Sequence, residues 1–327
     1  MTGLSDSFQR PINYLRISVT DRCNLCCVYC MPPEGITQMS HYDILSYEEI
    51  YTLVKAAAEL GINRVRLTGG EPLVRAGLPE LVRMLADIDT IDDISLTTNG
   101  ILLAQYAADL KDAGLMRVNV SLDTLKPERF RQITRCGNLE DTLKGIEVAN
   151  DVGLTPVKIN MVVMAGINDD EIPDFARKTI KEGWNVRFIE YMPVNGEDSE
   201  ATRLVSVKDM KKLLDPLGKM EPFKIDKGSG PAKYFRLPGA KGTIGFITPV
   251  TEHFCYQCNR LRLTADGKLR LCLLNEDEID LREPLRSGAS VQELKDIITK
   301  ATATKPQGHR LAEGNTHKGR PFSQVGG

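Results

Sequence analysis

A repeat of strand, turn and helix from Tyr14 to about Leu217 constrains the fold of this 327-residue chain more than any other feature. Residue patterns predict six strands, at Tyr14–Val19, Arg64–Thr68, Asp93–Thr98, Met116–Leu122, Val157–Val163 and Trp184–Glu190. They predict intervening helices at Tyr47–Leu60, Leu78–Asp87, Leu102–Asp112, Leu139–Asn150 and Glu171–Lys181. Such alternation gives a parallel sheet with right-handed crossovers. Six units suit an incomplete barrel as well as an open sheet.

The predicted strands carry polar residues on one face. In the first strand Leu15 and Ile17 alternate with Arg16 and Ser18, and the next four strands repeat the pattern. Buried parallel strands are usually apolar throughout. If the apolar faces meet the helices, the polar faces enclose a pocket suited to a polar, anionic ligand. An antiparallel sheet with one solvated face is the alternative, which the interleaved helices disfavour.

Three successive strands end in sequences typical of a binding site. A cysteine-rich loop follows the first strand, Gly69-Gly70-Glu71-Pro72 the second, and Thr97-Thr98-Asn99-Gly100 the third. Paired glycines let the backbone approach a ligand closely, although each sequence alone is an ordinary turn. Ligand sites in such folds lie at the carboxyl ends of the strands. The chain has neither a Walker loop nor a G-x-G-x-x-G sequence, so an ordinary NTPase or dinucleotide fold is not supported.

The loop after the first strand holds four of the eight cysteines. Cys23, Cys27 and Cys30 form a C-x₃-C-x₂-C pattern, in which each thiolate could bind a different iron of a 4Fe–4S cluster and leave one iron open. Half of a zinc site, a redox dithiol at Cys27 and Cys30, and disulfides are the alternatives. Cys26 offers a competing Cys23-x₂-Cys26 register. Cys136 stands apart from the other cysteines in the sequence and is interpreted as a packing or incidental thiol.

Net charge, hydropathy and cysteine content together indicate the compartment in which the protein works. The net charge is −2 with mixed charges, which gives no sign of a nucleic-acid arm, and no apolar run is long enough to cross a membrane. The N-terminus lacks the apolar core of a signal peptide. Clustered cysteines without a signal peptide indicate a reducing compartment, so we expect a cytoplasmic protein that does not bind membranes or nucleic acid.

Beyond Leu217 the strand–helix rhythm stops. Hairpin strands are predicted at Thr243–Ile247, Leu261–Thr264 and Lys268–Leu273, with a turn at Ala265-Asp266-Gly267, and helices at Leu281–Arg286 and Val291–Ala301. A second cysteine set comprises Cys255, Cys258 and Cys272. His253 could complete a zinc site. Arg260 and Arg262 could hold phosphate or a base edge, whereas Arg270 is interpreted as a solvated strand charge.

The two cysteine sets, Tyr29 before the last cysteine of the first, Gly-Gly-Glu-Pro, Asn259-Arg260-Leu261-Arg262 and the terminal Gly326-Gly327 together resemble one family. It is the GTP 3′,8-cyclase family of molybdenum cofactor biosynthesis, within the radical S-adenosylmethionine superfamily. The resemblance implies an α/β fold, a partial (β/α)6 barrel of residues 1–217. A C-terminal α+β extension of residues 218–327 would close the barrel mouth.

The resemblance also implies a set of site residues. Each cysteine set would hold a 4Fe–4S cluster. S-Adenosylmethionine would contact Tyr29, Gly70, Ser121 and Met192. GTP would contact Arg16, Arg66, Thr97, Lys158, Arg260, Leu261 and Arg262. Catalytic roles would fall to Arg260, Arg262, Gly326 and Gly327, the last two entering the active site although the composition of residues 304–327 is typical of disorder.

The implied reaction begins with reductive cleavage of S-adenosylmethionine to a 5′-deoxyadenosyl radical, which removes the 3′ hydrogen of GTP. The resulting carbon radical would attack C8 of the guanine and give, after reduction, (8S)-3′,8-cyclo-7,8-dihydroguanosine 5′-triphosphate. A reductant such as flavodoxin or ferredoxin and the downstream cyclic pyranopterin monophosphate synthase are the implied partners, and a homodimer is possible. A peptide-modifying radical enzyme with an auxiliary cluster and a non-catalytic zinc-binding scaffold or sensor are the alternatives.

Overall fold

A computed structural model describes residues 3–192, 204–225, 230–309 and 320–326. Six parallel strands follow the predicted repeat: β1 (Tyr14–Ser18), β2 (Arg64–Thr68), β3 (Asp93–Thr98), β4 (Arg117–Ser121), β5 (Lys158–Val163) and β6 (Asn185–Glu190). The helices of this part are α1 (Tyr47–Glu59), α2 (Leu78–Ala86), α3 (Leu103–Asp112), α4 (Pro127–Thr134), α5 (Leu139–Asp151), α6 (Ile172–Lys181) and α7 (Val207–Leu214). The sequence patterns missed α4 and α7. The parallel pairing rules out the antiparallel alternative.

The remaining elements are β7 (Glu221–Pro222), β8 (Lys233–Arg236), β9 (Thr243–Ile247), β10 (Arg260–Leu263), β11 (Lys268–Arg270), β12 (Glu278–Asp280), α8 (Arg282–Arg286), α9 (Val291–Ala303) and α10 (Phe322–Val325). β10 and β11 form the predicted hairpin, with Gly267 at a φ of 80° in the turn. The sequence patterns missed β7, β8, β12 and α10.

One sheet unites the described strands, in the order β12-β11-β10-β1-β2-β3-β4-β5-β6-β9-β8-β7. Two strands from beyond residue 217 extend the parallel part at its edges, since β10 pairs with β1 and β9 with β6, both parallel. The sheet is not closed, so the predicted α/β partial barrel is confirmed. Because the C-terminal strands belong to the same sheet, the division between residues 217 and 218 stays a prediction.

Alternation of side chains along the strands creates the two sides of the barrel wall. The apolar positions, including Ile17, Leu67, Leu96, Val120 and Met161, lie in a single core with the helices and are at most 3% exposed. The opposite positions, including Arg16, Arg66, Thr97, Ser121 and Lys158, line an interior cavity. The polar pocket predicted from alternation is therefore present. No helix in the described ranges has the length and apolar character needed to span a membrane.

Candidate active site

An interior cavity of about 370 Å³ lies inside the barrel wall and extends to the carboxyl ends of its strands. Its lining includes the first cysteine loop, the turns after β2 and β3, and the second cysteine set. Three strand ends thus meet at one mouth, as the sequence predicted. The volume is in the range of sites for small molecules and cofactors.

The first cysteine loop presents three thiols to this cavity. Cys23, Cys27 and Cys30 line it, and burial raises the pKa of the Cys23 thiol to about 11 and that of Cys30 to about 12. The thiolate form that binds metal therefore needs a cationic centre to stabilise it. Cys26 is not part of the lining: its sulfur lies 3.5 Å from the Pro32 carbonyl and 3.6 Å from a terminal nitrogen of Arg135. Cys136 is exposed and also lies outside the lining.

The turn after β2 clamps the cysteine loop. The backbone N–H of Gly70 donates to the Thr20 carbonyl (2.9 Å), and that of Glu71 donates to the Arg22 carbonyl (2.8 Å). A Cβ at Gly70 would lie 2.4 Å from the Arg22 oxygen, so only glycine allows this approach. Glu71 is buried and accepts hydrogen bonds from the N–H groups of Leu73 and Asn99. The glycines thus hold the loop in place, a requirement that explains Gly-Gly-Glu without a ligand.

Tyr29, Ser121 and Met192, three of the residues predicted to contact S-adenosylmethionine, line the cavity with Gly70. The Tyr29 hydroxyl donates to Asp123 (2.6 Å), and the other Asp123 oxygen accepts from the Val162 N–H (2.8 Å). Burial raises the pKa of Asp123 to about 6. Sequence reasoning missed Asp123, although its position just after β4 was a usable signal.

Positive side chains dominate the barrel interior. Arg16, Arg66 and Lys158, predicted to bind GTP, line the cavity together with Arg117 and Arg187, which sequence reasoning missed. Lys158 is 1% exposed, and burial with the nearby Arg187, Arg117 and Arg66 lowers its pKa to about 6. Thr97, also predicted, has a buried hydroxyl with no hydrogen-bond partner among the described residues. A buried cationic wall with unsatisfied polar atoms fits a polyanionic ligand.

The second cysteine set lies across the same cavity. Cys255 and Cys258 flank a short 3₁₀ turn, and Cys272 follows β11. Burial raises the pKa of Cys258, but Lys305 and Arg260 outweigh it, and the net effect is a lowered pKa. At Cys255 burial prevails and the pKa is raised, so it is the Cys258 thiolate that the buried cations stabilise.

Two buried cations, which the sequence patterns did not reveal, bind backbone carbonyls next to the second cysteine set. The Lys305 ammonium, on a side chain of which 3% is exposed, donates to the carbonyls of Arg260 (2.9 Å) and Leu271. Arg10 donates to the carbonyls of Cys255 (2.7 Å), Pro306 and Gln307. Each cation joins segments distant in sequence, so the set is built by tertiary contacts that spacing alone does not reveal.

A single zinc ion and a 4Fe–4S cluster require different arrangements of their ligands. His253, the candidate fourth zinc ligand, is exposed, packs edge-on against His309 with 5.9 Å between ring centroids and lies outside the cavity lining. In the described ranges no three His, Cys, Asp or Glu side chains converge on a point that would hold a single ion. Thiolates of a 4Fe–4S cluster bind separate irons, so both sets fit a cluster better than tetrahedral zinc.

The strand after Cys258 divides its side chains between the cavity and the core. Arg260 and Arg262 line the cavity, whereas the Leu261 side chain lies in the core at 1% exposure. Only the backbone of Leu261 is thus available to a ligand. The interpretation of Arg270 as a solvated charge is wrong, because it is 1% exposed and forms an ion pair with Glu278 (2.5 Å).

The C-terminal tail reaches the cavity. Arg320 binds both carboxylate oxygens of Asp266 (2.8 Å each), and Phe322 and Ser323 line the cavity. The Gly326 carbonyl accepts hydrogen bonds from Arg262 (2.5 Å) and Arg16 (3.1 Å), two of the predicted GTP ligands. Disorder is therefore a wrong prediction for residues 320–326. Gly327, predicted to be catalytic, lies outside the described residues.

Comparison with known proteins places these features in a family. Residues 17–179 match the Radical SAM superfamily, and residues 184–311 match Molybdenum Cofactor Synthesis C. The chain is 53% identical to the GTP 3′,8-cyclase of Pelotomaculum thermopropionicum, with 99% of this chain and 100% of the relative covered. It is 51% identical to that of Thermodesulfovibrio yellowstonii, with the same coverage.

Solved structures agree on the fold. Streptococcus suis SuiB bound to the precursor peptide SuiA matches with a TM-score of 0.64 and 14% identity, over 94% of this chain and 67% of that chain. SuiB bound to S-adenosylmethionine matches with a TM-score of 0.58 and 14% identity, over 88% and 68%. The resemblance inferred from the two cysteine sets and the tail is confirmed, and the chain belongs to the GTP 3′,8-cyclase family of the radical SAM superfamily.

Proposed function

We propose that this protein converts GTP to (8S)-3′,8-cyclo-7,8-dihydroguanosine 5′-triphosphate, the first step of molybdenum cofactor biosynthesis. One observation carries the proposal: two sets of three cysteines face a single cavity whose wall is rich in buried cations. Lys158 is 1% exposed and forms no ion pair among the described residues. A buried ammonium without a counter-ion is costly, and a triphosphate would supply the missing charge.

The residues present suit the cofactors of this chemistry. Cys23, Cys27 and Cys30 would hold the first 4Fe–4S cluster, and Cys255, Cys258 and Cys272 the second. Tyr29, Gly70, Ser121 and Met192 would contact S-adenosylmethionine at the mouth. When bound, the first cluster and S-adenosylmethionine supply a 5′-deoxyadenosyl radical able to remove the 3′ hydrogen of GTP.

The task of the protein is placement and exclusion of water. Arg16, Arg66, Thr97 and Lys158 would bind GTP, with the triphosphate held by the cations. Arg260, Arg262 and the backbone of Leu261 would position the purine near the second cysteine set. Gly326 and Gly327 would close the site, because residues without side chains can enter a cavity that already holds substrate. The Gly326 carbonyl and the substrate would then meet on the same arginines.

The proposed reaction requires an electron donor and a protein that takes up its product. We infer that the electron donor is a small redox protein such as flavodoxin or ferredoxin, and that the product passes to cyclic pyranopterin monophosphate synthase. We also infer a cytoplasmic protein, with homodimerisation as its proposed assembly.

Deuterium transfer tests the proposed reaction. Anaerobic, iron-reconstituted protein would be mixed with reductant, S-adenosylmethionine and GTP deuterated at C3′, and the 5′-deoxyadenosine analysed by mass spectrometry. We expect deuterium in 5′-deoxyadenosine together with a cyclised nucleotide. Unlabelled 5′-deoxyadenosine with intact GTP would point to another substrate, such as a peptide, and the absence of cleavage would favour the scaffold alternative.

A further inference from the structure

Three neighbouring strands bring Tyr234, Gly245 and Arg187 into one row. Gly245 of β9 pairs with Arg187 of β6 on one side and with Tyr234 of β8 on the other. The Arg187 side chain belongs to the parallel barrel, whereas Tyr234 comes from β8, an antiparallel strand next to the edge strand β7. Side chains two strands apart are usually separated by the residue between them.

Gly245 removes that separation. A Cβ at this position would lie 3.0 Å from Cε1 of Tyr234 and 3.2 Å from Cγ of Arg187, so a side chain here would push the two apart. In its absence the Arg187 Nε–H donates to the Tyr234 hydroxyl (2.8 Å), and the guanidinium lies 5.8 Å from the centroid of the ring. Tyr234 thus holds the Arg187 guanidinium in place through a hydrogen bond to Nε and a cation–π contact.

Arg187 is held where it would bind an anion. It is 6% exposed and, in the part of the chain that the structure describes, forms no ion pair and has no hydrogen-bond partner for its Nη atoms. It lines the main cavity and also a second cavity of about 220 Å³, and Lys158 lines both. Lys224 adds a third cation to the second cavity, whose described lining contains no carboxylate.

The two cavities share Lys158 and Arg187 in their linings, and this cationic region suits the most highly charged part of an elongated anion. A guanidinium held through Nε keeps both Nη atoms for bidentate contact with phosphate. We propose that Tyr234 is a positioning residue: across Gly245 it sets Arg187 beside Lys158 so that this end of the cavity recognises the terminal phosphates of GTP. The proposal rests on GTP being the substrate, and it assigns to Tyr234 a part in selecting the triphosphate over the monophosphate.

Equilibrium binding of GTP and GMP to cluster-loaded protein, measured anaerobically by calorimetry without S-adenosylmethionine, tests this role. In Tyr234→Phe the GTP dissociation constant should rise about tenfold, the effect of losing a hydrogen bond to a charged group. GMP, which lacks the terminal phosphates, should be affected less than about twofold. Gly245→Ala should reproduce the loss of GTP selectivity by separating the pair. Tyr42→Phe, which removes a hydroxyl from an 81% exposed ring, is the matched control.

Turnover adds a second readout, since the KM for GTP in Tyr234→Phe should rise by a similar factor while kcat stays within about twofold. Wild-type affinity for GTP in Tyr234→Phe, or equal losses for GTP and GMP, would overturn the positioning role. Failure of the loaded wild-type protein to bind GTP would instead overturn the proposed function on which the role rests.

Discussion

The two cysteine sets offer the same donors to the same cavity from opposite surroundings. Near the first set the charged neighbours are carboxyl groups. Burial is the largest cause of the raised pKa of both Cys30 and Cys23; Asp123 adds to it at Cys30 after the Cys23 thiol, and Glu71 adds to it at Cys23. Near the second set Lys305 and Arg260 lower the pKa of Cys258 against the effect of burial, whereas at Cys255 burial prevails and the pKa is raised. Negative charge around an iron–sulfur cluster lowers its reduction potential, and positive charge raises it.

This difference indicates two separate duties. A strongly reducing centre suits the delivery of an electron to S-adenosylmethionine, whereas a centre in a cationic wall suits the binding of an anionic nucleotide. Arg66, Lys158 and Arg187 also line the cavity, so its inner wall is cationic like the surroundings of Cys258.

Loss of one cysteine of the second set should have the largest effect. In Cys272→Ala the iron content should fall by about half, because each set would hold one four-iron cluster. Cyclisation should be abolished, whereas S-adenosylmethionine binding, measured by equilibrium dialysis, should remain near the wild-type value. Cys136→Ala, outside the cavity lining, is the control. Loss of S-adenosylmethionine binding in Cys272→Ala would show that the two sets do not act separately.

Removal of the tail should leave both sets intact but impair turnover. Deletion of Gly326 and Gly327 removes the carbonyl that accepts hydrogen bonds from Arg16 and Arg262. We expect kcat to fall by about 100-fold, the usual cost of losing a preorganised polar contact in an active site, with unchanged iron content. Gly288→Ala, a left-handed glycine in open space, controls for strain elsewhere. Full activity of the truncated protein would remove the tail from the mechanism.

Replacing Lys305 by a neutral residue should make the electrostatic surroundings of the second cysteine set more like those of the first. In Lys305→Met we expect a more negative midpoint potential for the second cluster, by on the order of 50 mV, because a nearby positive charge favours the reduced form. Redox titration followed by EPR would measure it in a Cys23→Ala, Cys27→Ala, Cys30→Ala background. Lys300→Met, on the exposed side of α9, is the control. An unchanged potential with full cluster occupancy would contradict the electrostatic contrast.

Proton uptake on GTP binding should report the charge of the barrel interior. The pKa of Lys158 is depressed to about 6, so above that pH the side chain is mostly neutral until an anion raises its pKa. Binding near pH 7.5 should therefore take up about one more proton in the wild type than in Lys158→Met, and the GTP affinity of the wild type should fall as pH rises above about 6. Calorimetry in buffers of different ionisation enthalpy measures the difference. Equal proton uptake by both proteins would contradict this assignment.

The barrel half was predictable from sequence because its signals are local. Alternation along β1 to β5 gave both the apolar core and the polar cavity face, and strand-end motifs located the mouth. The helix start at Ser46 illustrates such a local signal, since its hydroxyl accepts from the Glu49 N–H in a capping box. Such patterns depend on residues a few positions apart and survive without knowledge of the fold.

The C-terminal half was less predictable because its contacts join distant segments. Nothing near β9 or β10 indicates that these strands pair in parallel with β6 and β1. Arg270 reads as a surface charge until Glu278 is brought beside it, and Lys305 gains its role from carbonyls more than 30 residues away. The disorder predicted for the tail failed at residues 320–326 for the same reason, since Asp266 supplies the partner of Arg320.

The most direct test of the two-duty account compares two triple variants, each loaded with its remaining cluster. One carries Cys23→Ala, Cys27→Ala and Cys30→Ala, and the other carries Cys255→Ala, Cys258→Ala and Cys272→Ala. Anaerobic binding of S-adenosylmethionine and of GTP would be measured for both. We predict that the first variant loses S-adenosylmethionine and retains GTP, and that the second retains S-adenosylmethionine and binds GTP more weakly. S-Adenosylmethionine binding or loss of GTP binding in the first variant, or loss of S-adenosylmethionine binding or wild-type GTP affinity in the second, would contradict the account.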